Sequence, residues 1–310
     1  MLVIFGGFMY ARFRVTKKQK NIIEKQKEFV DEKNKEVKAS INYAKRLQEA
    51  ILPSKESLTK NLKNGFILYK PKDVVSGDFY FMDVVEEDQS SNKTGNKLVY
   101  YVVADCTGHG VPGAMVSIVG ANGLKRCIQE FKLRDTGEIL DRLSLLVAEN
   151  FSQSDEQIRD GMDIAICCVE TNKMNSKIKV HYSGANNSLW IINPNRKFVP
   201  KNGLEFKNGG GFEIKPNKQS IGYTEDGQPY KTHIIDIEKG DTLYTFSDGY
   251  VDQFGGNRGK KFKSANLKKL LVSIQAKSMD EQKVILDDTF EKWRGSNEQI
   301  DDVCIIGVRF

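Results

Sequence analysis

Four aspartate-bearing segments at the ends of apolar runs constrain the fold of this 310-residue chain more than any other feature. They are Ser76-Gly77-Asp78 before FYFMDVV, Asp105 after LVYYVVA, Asp248 after TLYTFS, and Asp301-Asp302 before VCIIGVRF. Apolar runs rich in β-branched and aromatic residues are typical of buried strands. One Asp beside Gly usually marks a turn, but four acidic strand ends, three of them near Gly, indicate carboxylates aimed into a cleft.

The remaining pattern predicts an α+β fold. We expect strands at Phe66–Tyr69, Phe79–Val85, Leu98–Ala104, Ile164–Val169, Ile178–Tyr182, Leu189–Ile192, His233–Ile237, Thr242–Phe246 and Val303–Phe310. Helices are expected at Gly113–Phe131, Gly137–Ser152, Ser264–Ile274 and Met279–Trp293. Residues 88–97 are expected to join two strands as a hairpin loop. Antiparallel runs of strands with helices in pairs between them favour two packed sheets covered by helices over a doubly wound sheet.

Carboxylates that converge in one cleft repel each other unless cations neutralise them. The five Cys and three His residues form no recognisable zinc pattern, so the ligands available are hard oxygens. Oxygen ligands favour Mg²⁺ or Mn²⁺. Two such ions can activate a bridging water and neutralise a phosphoryl group, so the sequence indicates metal-assisted phosphoryl chemistry.

The basic residues are concentrated at the N-terminus. Residues 1–50 carry 12 Lys and Arg residues against 6 Asp and Glu residues, which accounts for the whole net charge of +6. The rest of the chain is neutral overall, which argues against nucleic acid as a partner.

Residues 1–14 combine an apolar run, Met1–Tyr10, with the first basic residues that follow it. Ten residues are too few to cross a bilayer, which needs about 20. We expect either the inner end of a membrane segment, with the catalytic part in the cytoplasm and attached to the inner membrane, or a plain apolar helix end.

Residues 15–52 contain no Gly and no Pro, and are expected to form a signalling helix that ends before Pro53. Apolar residues recur every seventh position at Ile23, Val30, Val37, Ala44 and Ile51. The second column of such a heptad is mostly polar, so we expect a weak coiled coil and a homodimer. The alternative is a solvated helix that docks on the domain formed by residues 53–310.

Four motifs, SGDFY, DCTGHGVPGAM, SDGYVDQ and DDVCIIGV, resemble those of the PPM-type serine/threonine protein phosphatases, in the SpoIIE-like bacterial branch. The segment YAKRLQEAILPS resembles the helix that leads into that domain. The resemblance covers residues 42–310 and keeps the motif order of the family. It implies an αββα sandwich of two antiparallel sheets flanked by helix pairs, preceded by a long N-terminal helix, with two metal ions at one end.

The resemblance also implies roles for single residues. Asp105 would bridge two Mn²⁺ or Mg²⁺ ions, with Asp78 and the backbone carbonyl of Cys106 completing one site. Asp248 and Asp301 would complete the other. Asp105 and Asp248 are therefore the expected catalytic residues.

Further positions are auxiliary. Asp302 is the alternative to Asp301, because the two acids are adjacent. Asp252, joined by Asp160 or Asp163, matches the position of a weaker third ion in the family, although ordinary surface carboxylates are an equal reading.

The chain departs from eukaryotic members at two positions. Val74 stands where they have a phosphate-binding Arg, and Lys70 and Lys72 are candidates to substitute for it, although ordinary surface lysines are the favoured interpretation. Thr107 stands where they have a His that acts as general acid. His109, displaced by two residues, is then a loop-shaping residue more than an acid.

The resemblance implies a phosphatase that removes phosphate from Ser or Thr of a regulatory protein. In this branch the substrates resemble anti-sigma-factor antagonists of the STAS type, and the N-terminal helix transmits a signal. Two alternatives remain open: a pseudophosphatase that serves as a scaffold in a signalling pathway, and a metal phosphohydrolase acting on a small molecule.

Overall fold

The computed structural model describes residues 2–53, 61, 64–86, 97–151, 160–171, 178–222 and 227–310. The chain divides into two compact units, Met1–Arg46 and Leu47–Phe310. The predicted loop at residues 88–97 falls almost wholly outside the described residues, and the domain boundaries expected at residues 14 and 52 stay predictions.

The N-terminal unit belongs to one long helix, α1 (Leu2–Ile51), which begins earlier than predicted and ends before Pro53 as predicted. The apolar column is exposed in the single chain at Ile23, Val30 and Val37. None of the helices in the described ranges is long and apolar enough to cross a membrane. Membrane attachment and cytoplasmic placement stay predictions.

The second unit contains the sheets and the remaining helices. In chain order the elements are β1 (Gly65–Lys70), β2 (Phe79–Glu86), β3 (Lys97–Cys106), α2 (Gly110–Lys125), α3 (Thr136–Phe151), β4 (Met162–Thr171), β5 (Ile178–Ala185), β6 (Leu189–Ile192), β7 (Gly203–Glu205), β8 (Gly211–Ile214), β9 (His233–Asp236), β10 (Thr242–Phe246), α4 (Gly249–Asp252), β11 (Phe254–Gly255), β12 (Lys260–Lys261), α5 (Ser264–Ser273), α6 (Met279–Arg294) and β13 (Val303–Arg309). A π-helical turn, Arg126–Glu130, extends α2.

Two antiparallel sheets make the sandwich. One has the order β2-β3-β4-β5-β9 and the other β1-β13-β10-β6-β8-β7, while β11 and β12 pair as a separate two-stranded ribbon. β2 pairs with β3 in antiparallel register, as the predicted hairpin requires. The α+β prediction of two sheets flanked by helix pairs is confirmed.

Three apolar layers hold the sandwich together, and β3 contributes to two of them. Tyr100 and Val102 face a cluster shared with α2 and α3, whereas Tyr101 and Val103 face the layer between the sheets. Successive residues of a strand point to opposite faces, so a strand buried on both faces reads as an unbroken apolar run. The third layer joins the second sheet to α5 and α6.

The structure adds short elements that the sequence did not indicate: β7, β8, β11, β12 and α4. Each has two to four residues. A run of that length is too short to show the apolar periodicity of a helix or of a strand. Helix α2 also begins at Gly110, before the predicted Gly113.

Candidate active site

Strand pairing brings the four acidic segments to one end of the sandwich. Asp78 precedes β2 and Asp105 lies near the end of β3, and these strands are antiparallel neighbours. Asp248 follows β10 and Asp301 precedes β13, and these strands are also antiparallel neighbours. The end of one strand and the start of its antiparallel partner share a sheet edge, so each sheet presents two of the segments there.

A cleft of about 300 Å³ opens at this end. It is lined by Asp105, Cys106, Thr107, Gly108, His109, Met162, Asp163, Ser220, Asp248 and Asp301. Three of the predicted metal-ligating carboxylates thus line one cavity, together with Asp163, one of the auxiliary candidates. The register of the sheet accounts for Asp163, because it lies directly opposite Asp105 on β4.

The carboxylates of the cleft interact strongly. Burial, followed by the charges of Asp248, Asp301 and Asp163, raises the pKa of Asp105 to about 8. Burial also raises the pKa of Asp248, with Asp252 and Asp301 as the next causes. A carboxyl group resists ionisation where neighbouring negative charge and low solvation both penalise its anion. Bound cations would remove that penalty.

Asp78 is almost fully buried, at 1% exposure, and is not part of the cleft lining. Its Oδ2 accepts a hydrogen bond from Ser247 Oγ at 2.5 Å. Burial and then the charge of Asp105 raise the pKa of Asp78 well above its ordinary value. Asp78 therefore interacts electrostatically with the carboxylates of the cleft. Ser247, beside Asp248 in TFSDG, supports Asp78 and was missed by the sequence analysis.

The two adjacent C-terminal acids point in different directions. Asp301 lines the cleft. Asp302 is buried, and its two carboxylate oxygens accept hydrogen bonds from the backbone N–H groups of Lys72 and Gly77, each at 2.7 Å. Asp302 thus braces the loop that carries Asp78, while Asp301 is the one of the pair available to a ligand.

The loop of Asp78 and the loop after β3 are in close contact. A Cβ on Gly77 would lie 2.4 Å from the carbonyl oxygen of Gly108 and 3.3 Å from that of Cys106. No side chain fits at that distance, so Gly is required at position 77. The contact brings the Cys106 carbonyl, a predicted ligand, beside the segment that contains Asp78.

The auxiliary acids have partners within the protein. Asp163 Oδ1 accepts hydrogen bonds from Asn186 Nδ2 at 2.9 Å and from Ser220 Oγ at 2.6 Å. Asp252 forms an ion pair with Lys261, with 2.8 Å between Oδ2 and Nζ. Asp160 does not line the cleft.

Thr107 and His109 are both held by neighbouring groups. Thr107 Oγ1 donates a hydrogen bond to the Gly161 carbonyl at 3.1 Å and accepts one from the Gly161 N–H at 3.2 Å. His109 Nδ1 lies 3.0 Å from Asp73 Oδ2, and both side chains are exposed. His109 connects two loops of the site, which fits a loop-shaping role, although it also lines the cleft.

The proposed substitutes for the missing Arg lie elsewhere or are otherwise engaged. Lys70 Nζ pairs with Asp287 at 2.5 Å and with Glu291 at 2.7 Å, both on α6. The backbone of Lys72 is held by Asp302, and Val74 is exposed. Lys70 is therefore a structural cation between β1 and α6.

Gln48, in the last turns of α1, contacts the loop that carries Asp78. Its side chain is 5% exposed, and its Nε2 donates hydrogen bonds to the Ser76 carbonyl at 2.6 Å and to Ser117 Oγ at 2.9 Å. The Ser76 N–H donates back to Gln48 Oε1 at 3.2 Å. One amide thus satisfies both backbone groups of the residue two before Asp78.

We expect Gln48→Leu to destabilise the Ser76–Asp78 segment. Leu leaves the buried N–H and carbonyl of Ser76 without partners, which costs about 1–3 kcal/mol. The thermal unfolding temperature should fall and amide exchange at Gly77 and Asp78 should accelerate. Gln26→Leu, at an exposed position of the same helix, is the matched control. Unchanged exchange at these two amides would contradict the assignment.

The donor set of the cleft fits hard divalent cations. All its charged groups are carboxylates, and their raised pKa values mark a place where positive charge is stabilising. Within the ranges that the structure describes, no three His, Cys, Asp or Glu side chains are grouped closely enough to hold an ion by themselves.

We predict that the metal-free protein loses stability as pH rises. The folded-state pKa of Asp105 is about 8 against an ordinary value of 3.8, so the folded state binds the proton more tightly than the unfolded state. That contribution is complete below the ordinary pKa and is lost as pH approaches 8. Unfolding temperatures in EDTA should be lower at pH 8.5 than at pH 6, and Mn²⁺ should reverse this trend. A flat profile in EDTA would contradict it.

Comparison with known proteins identifies the family and the fold. Residues 95–310 match the family model Stage II sporulation protein E (SpoIIE). The structure resembles the SiaA-PP2C domain of Pseudomonas aeruginosa, with a TM-score of 0.69, 28% identity, and coverage of 89% of this chain and 98% of that one. No curated protein sequence matches the chain significantly.

Two more distant structures share the fold. The PP2C phosphatase domain of SpoIIE from Bacillus subtilis, with a fragment of its regulatory domain, aligns with a TM-score of 0.55 and 15% identity, over 79% of this chain and 62% of that one. The RsbU and RsbW domains of a Mycobacterium tuberculosis protein align with a TM-score of 0.52 and 15% identity, over 79% of this chain and 60% of that one. The chain belongs to the SpoIIE family and contains a PP2C-type (PPM-type) phosphatase domain.

Proposed function

We propose that the protein is a metal-dependent phosphatase that hydrolyses phospho-Ser and phospho-Thr esters on a regulatory protein. The observation that carries the proposal is the convergence of Asp105, Asp163, Asp248 and Asp301 in one cleft of about 300 Å³. Divalent cations would relieve the repulsion between these carboxylates, and phosphoryl transfer needs the same cations.

The ligands of two ions would come from the predicted set. Asp105 would contact both ions, with Asp78 and the Cys106 carbonyl on one side and Asp248 and Asp301 on the other. When bound, two Mn²⁺ or Mg²⁺ ions would lower the pKa of a water molecule and neutralise the phosphoryl oxygens during its attack. The ester oxygen leaves with a proton as the Ser or Thr hydroxyl, and inorganic phosphate is the other product.

The protein itself offers no cysteine nucleophile. All five cysteines are buried. Burial, with Asp78 next in effect, raises the pKa of both Cys106 and Cys304 well above its ordinary value, which disfavours a thiolate. Asp105 and Asp248 would act by positioning the reacting groups, so direct hydrolysis without a phosphoenzyme is the expected course.

The substrate that we propose is a STAS-type anti-sigma-factor antagonist, because the family resemblance implies it. Asp252 and Asp163 would be auxiliary ligands of a weaker third ion. A pseudophosphatase that binds the phosphoprotein without hydrolysing it is the alternative, and a small-molecule phosphohydrolase is a further one.

One assay separates these functions. The full chain is given p-nitrophenyl phosphate, a phosphoserine peptide from a STAS-type protein, and a nucleoside triphosphate, each with Mn²⁺ and again with excess EDTA. We expect hydrolysis of the first two that EDTA abolishes. Binding of the phosphopeptide without turnover would favour the scaffold, and preference for the nucleotide would favour the small-molecule enzyme.

Deleting residues 1–41 should weaken dimerisation and lower activity. The deletion removes the exposed Ile23, Val30 and Val37 but leaves the unit Leu47–Phe310 whole. Sedimentation velocity beside phosphatase rates across a Mn²⁺ titration measures both effects. If full-length and truncated chains share oligomeric state, rate and metal dependence, the helix is only a tether.

A further inference from the structure

A lysine lies next to the acidic cleft on the short ribbon that follows α4. Lys261, on β12, places its Nζ 2.8 Å from Oδ2 of Asp252, at the end of α4. Its positive charge also lowers the pKa of Asp248, whereas the neighbouring carboxylates raise it. The Lys261 side chain keeps 44% of its surface exposed, so the ammonium is accessible from solvent.

A phosphate ester approaching this cleft meets a mostly negative surface. Asp105, Asp163, Asp248 and Asp301 line it, and the phosphate is itself an anion. Cations held among the carboxylates would offset part of this charge, and phosphate oxygens turned away from them would face the rim of the cleft. A cationic side chain on that rim would favour binding and orientation of the substrate.

Two other side chains considered for phosphate binding already have carboxylate partners. Lys70 is held by two carboxylates of α6, and His109 pairs with Asp73. Val74 carries no charge. Lys261 differs from Lys70 in that its carboxylate partner, Asp252, lies one helical turn from the cleft residue Asp248, with the Asp252 N–H donating to the Asp248 carbonyl at 3.0 Å.

We propose that Lys261 binds the phosphoryl group of the substrate, leaving Asp252 when the anion arrives. The inference rests on the proposed phosphatase function and adds a substrate-binding residue to it. An exposed Lys–Asp pair contributes little to stability, so exchanging its carboxylate for a phosphate is readily reversible. The lysine side chain suits this role because its ammonium is a compact charge on a flexible four-carbon stem.

The ribbon provides a matched control. Lys260 and Lys261 are the two residues of β12, and they lie opposite Gly255 and Phe254. Successive side chains of a strand point to opposite faces, so Lys260 is directed away from the Asp252 side. Lys260→Met removes the same charge from the same strand without removing the ammonium at the cleft.

The test uses inorganic phosphate as the ligand. Phosphate binding to the Mn²⁺-saturated full chain is followed by calorimetry, and KM, kcat and phosphate inhibition are followed with p-nitrophenyl phosphate. For Lys261→Met we expect phosphate binding to weaken and KM to rise, each about tenfold, with kcat nearly unchanged. Lys260→Met should behave as wild type. Mn²⁺ affinity is measured for every variant, so that a metal effect is recognised.

A third variant gives an effect of opposite sign. Asp252→Asn frees the Lys261 ammonium from its partner, so phosphate should bind more tightly than to wild type at Mn²⁺ concentrations too low to fill a weaker third site. If Lys261 only held Asp252 in place, the two variants would change phosphate binding in the same direction, and the proposal would be overturned. Unchanged phosphate binding in Lys261→Met, or no phosphate binding by the wild-type protein, would overturn it as well.

Calorimetry separates this inference from the proposed function. Lys261-dependent phosphate binding without hydrolysis of any substrate would overturn the phosphatase proposal and leave the anion-binding residue in place. Hydrolysis together with phosphate binding that is unchanged in Lys261→Met would overturn the Lys261 proposal and leave the phosphatase proposal in place.

Discussion

Asp105→Asn is expected to lower the phosphatase rate by about a thousandfold or more, while raising the thermal stability of the metal-free protein. The rate falls because the carboxylate predicted to contact both ions loses its charge, so the reacting water is neither activated nor positioned. Stability rises because Asp105 is buried among like charges that hold its pKa at about 8. An amide at that position ends the repulsion without leaving a void.

The two opposite effects distinguish a catalytic role from a structural one. A residue that only supports the fold would lose activity and stability together. Turnover of p-nitrophenyl phosphate with Mn²⁺ and unfolding in EDTA at pH 7.5 measure the two quantities. Asp236→Asn, at an exposed position of β9, is the control and should change neither. Turnover near the wild-type rate by Asp105→Asn would remove the basis of the proposed mechanism.

The sequence predicted the carboxylates better than their surroundings. The acidic segments could be recognised because each lies next to an apolar run long enough to show the strand pattern, such as β3 before Asp105. Asp163 entered only through the family resemblance, since its place opposite Asp105 depends on the register between β3 and β4. Register is fixed by packing across the whole sheet, which no local pattern contains.

Gln48 was missed for a related reason. Its partners Ser76 and Ser117 lie 28 and 69 residues away in the chain. On a helical pattern a glutamine is an ordinary polar residue, and only the folded structure shows that its amide is buried against the loop of Asp78. Short elements such as β12 were missed because two residues carry no periodicity, although β12 carries the lysine nearest to Asp252.

The sequence analysis could not choose between the adjacent acids Asp301 and Asp302. Neighbouring residues at the start of a strand point to opposite sides, so one of them faces the cleft and the other the protein interior. Asp301 lines the cleft, whereas Asp302 is 2% exposed and accepts the N–H groups of Lys72 and Gly77. The two carboxylates therefore have separable roles, one toward the ligand and one toward the loop of Asp78.

Replacing each by Asn should give opposite outcomes. Asp301→Asn should abolish most activity and leave the unfolding temperature in EDTA equal to or above that of wild type. Asp302→Asn should destabilise the protein by about 3 kcal/mol, because the amide can accept only one of the two N–H groups and turns its own donors toward the other. Its activity should recover in part at low temperature and high Mn²⁺, because Asp301 and the other cleft carboxylates remain.

Chemical denaturation and a Mn²⁺ titration of activity, run on both variants at 10 °C and 30 °C, would measure this difference. Activity lost in Asp302→Asn with unchanged stability, and retained in Asp301→Asn, would reverse the assignment. Such a reversal would require the chain before β13 to shift by one residue and Lys72 and Gly77 to lose their acceptors. The hydrogen bonds of Asp302 to both N–H groups oppose that shift. The loop carrying Asp78 thus depends on one carboxylate, and the cleft depends on its neighbour.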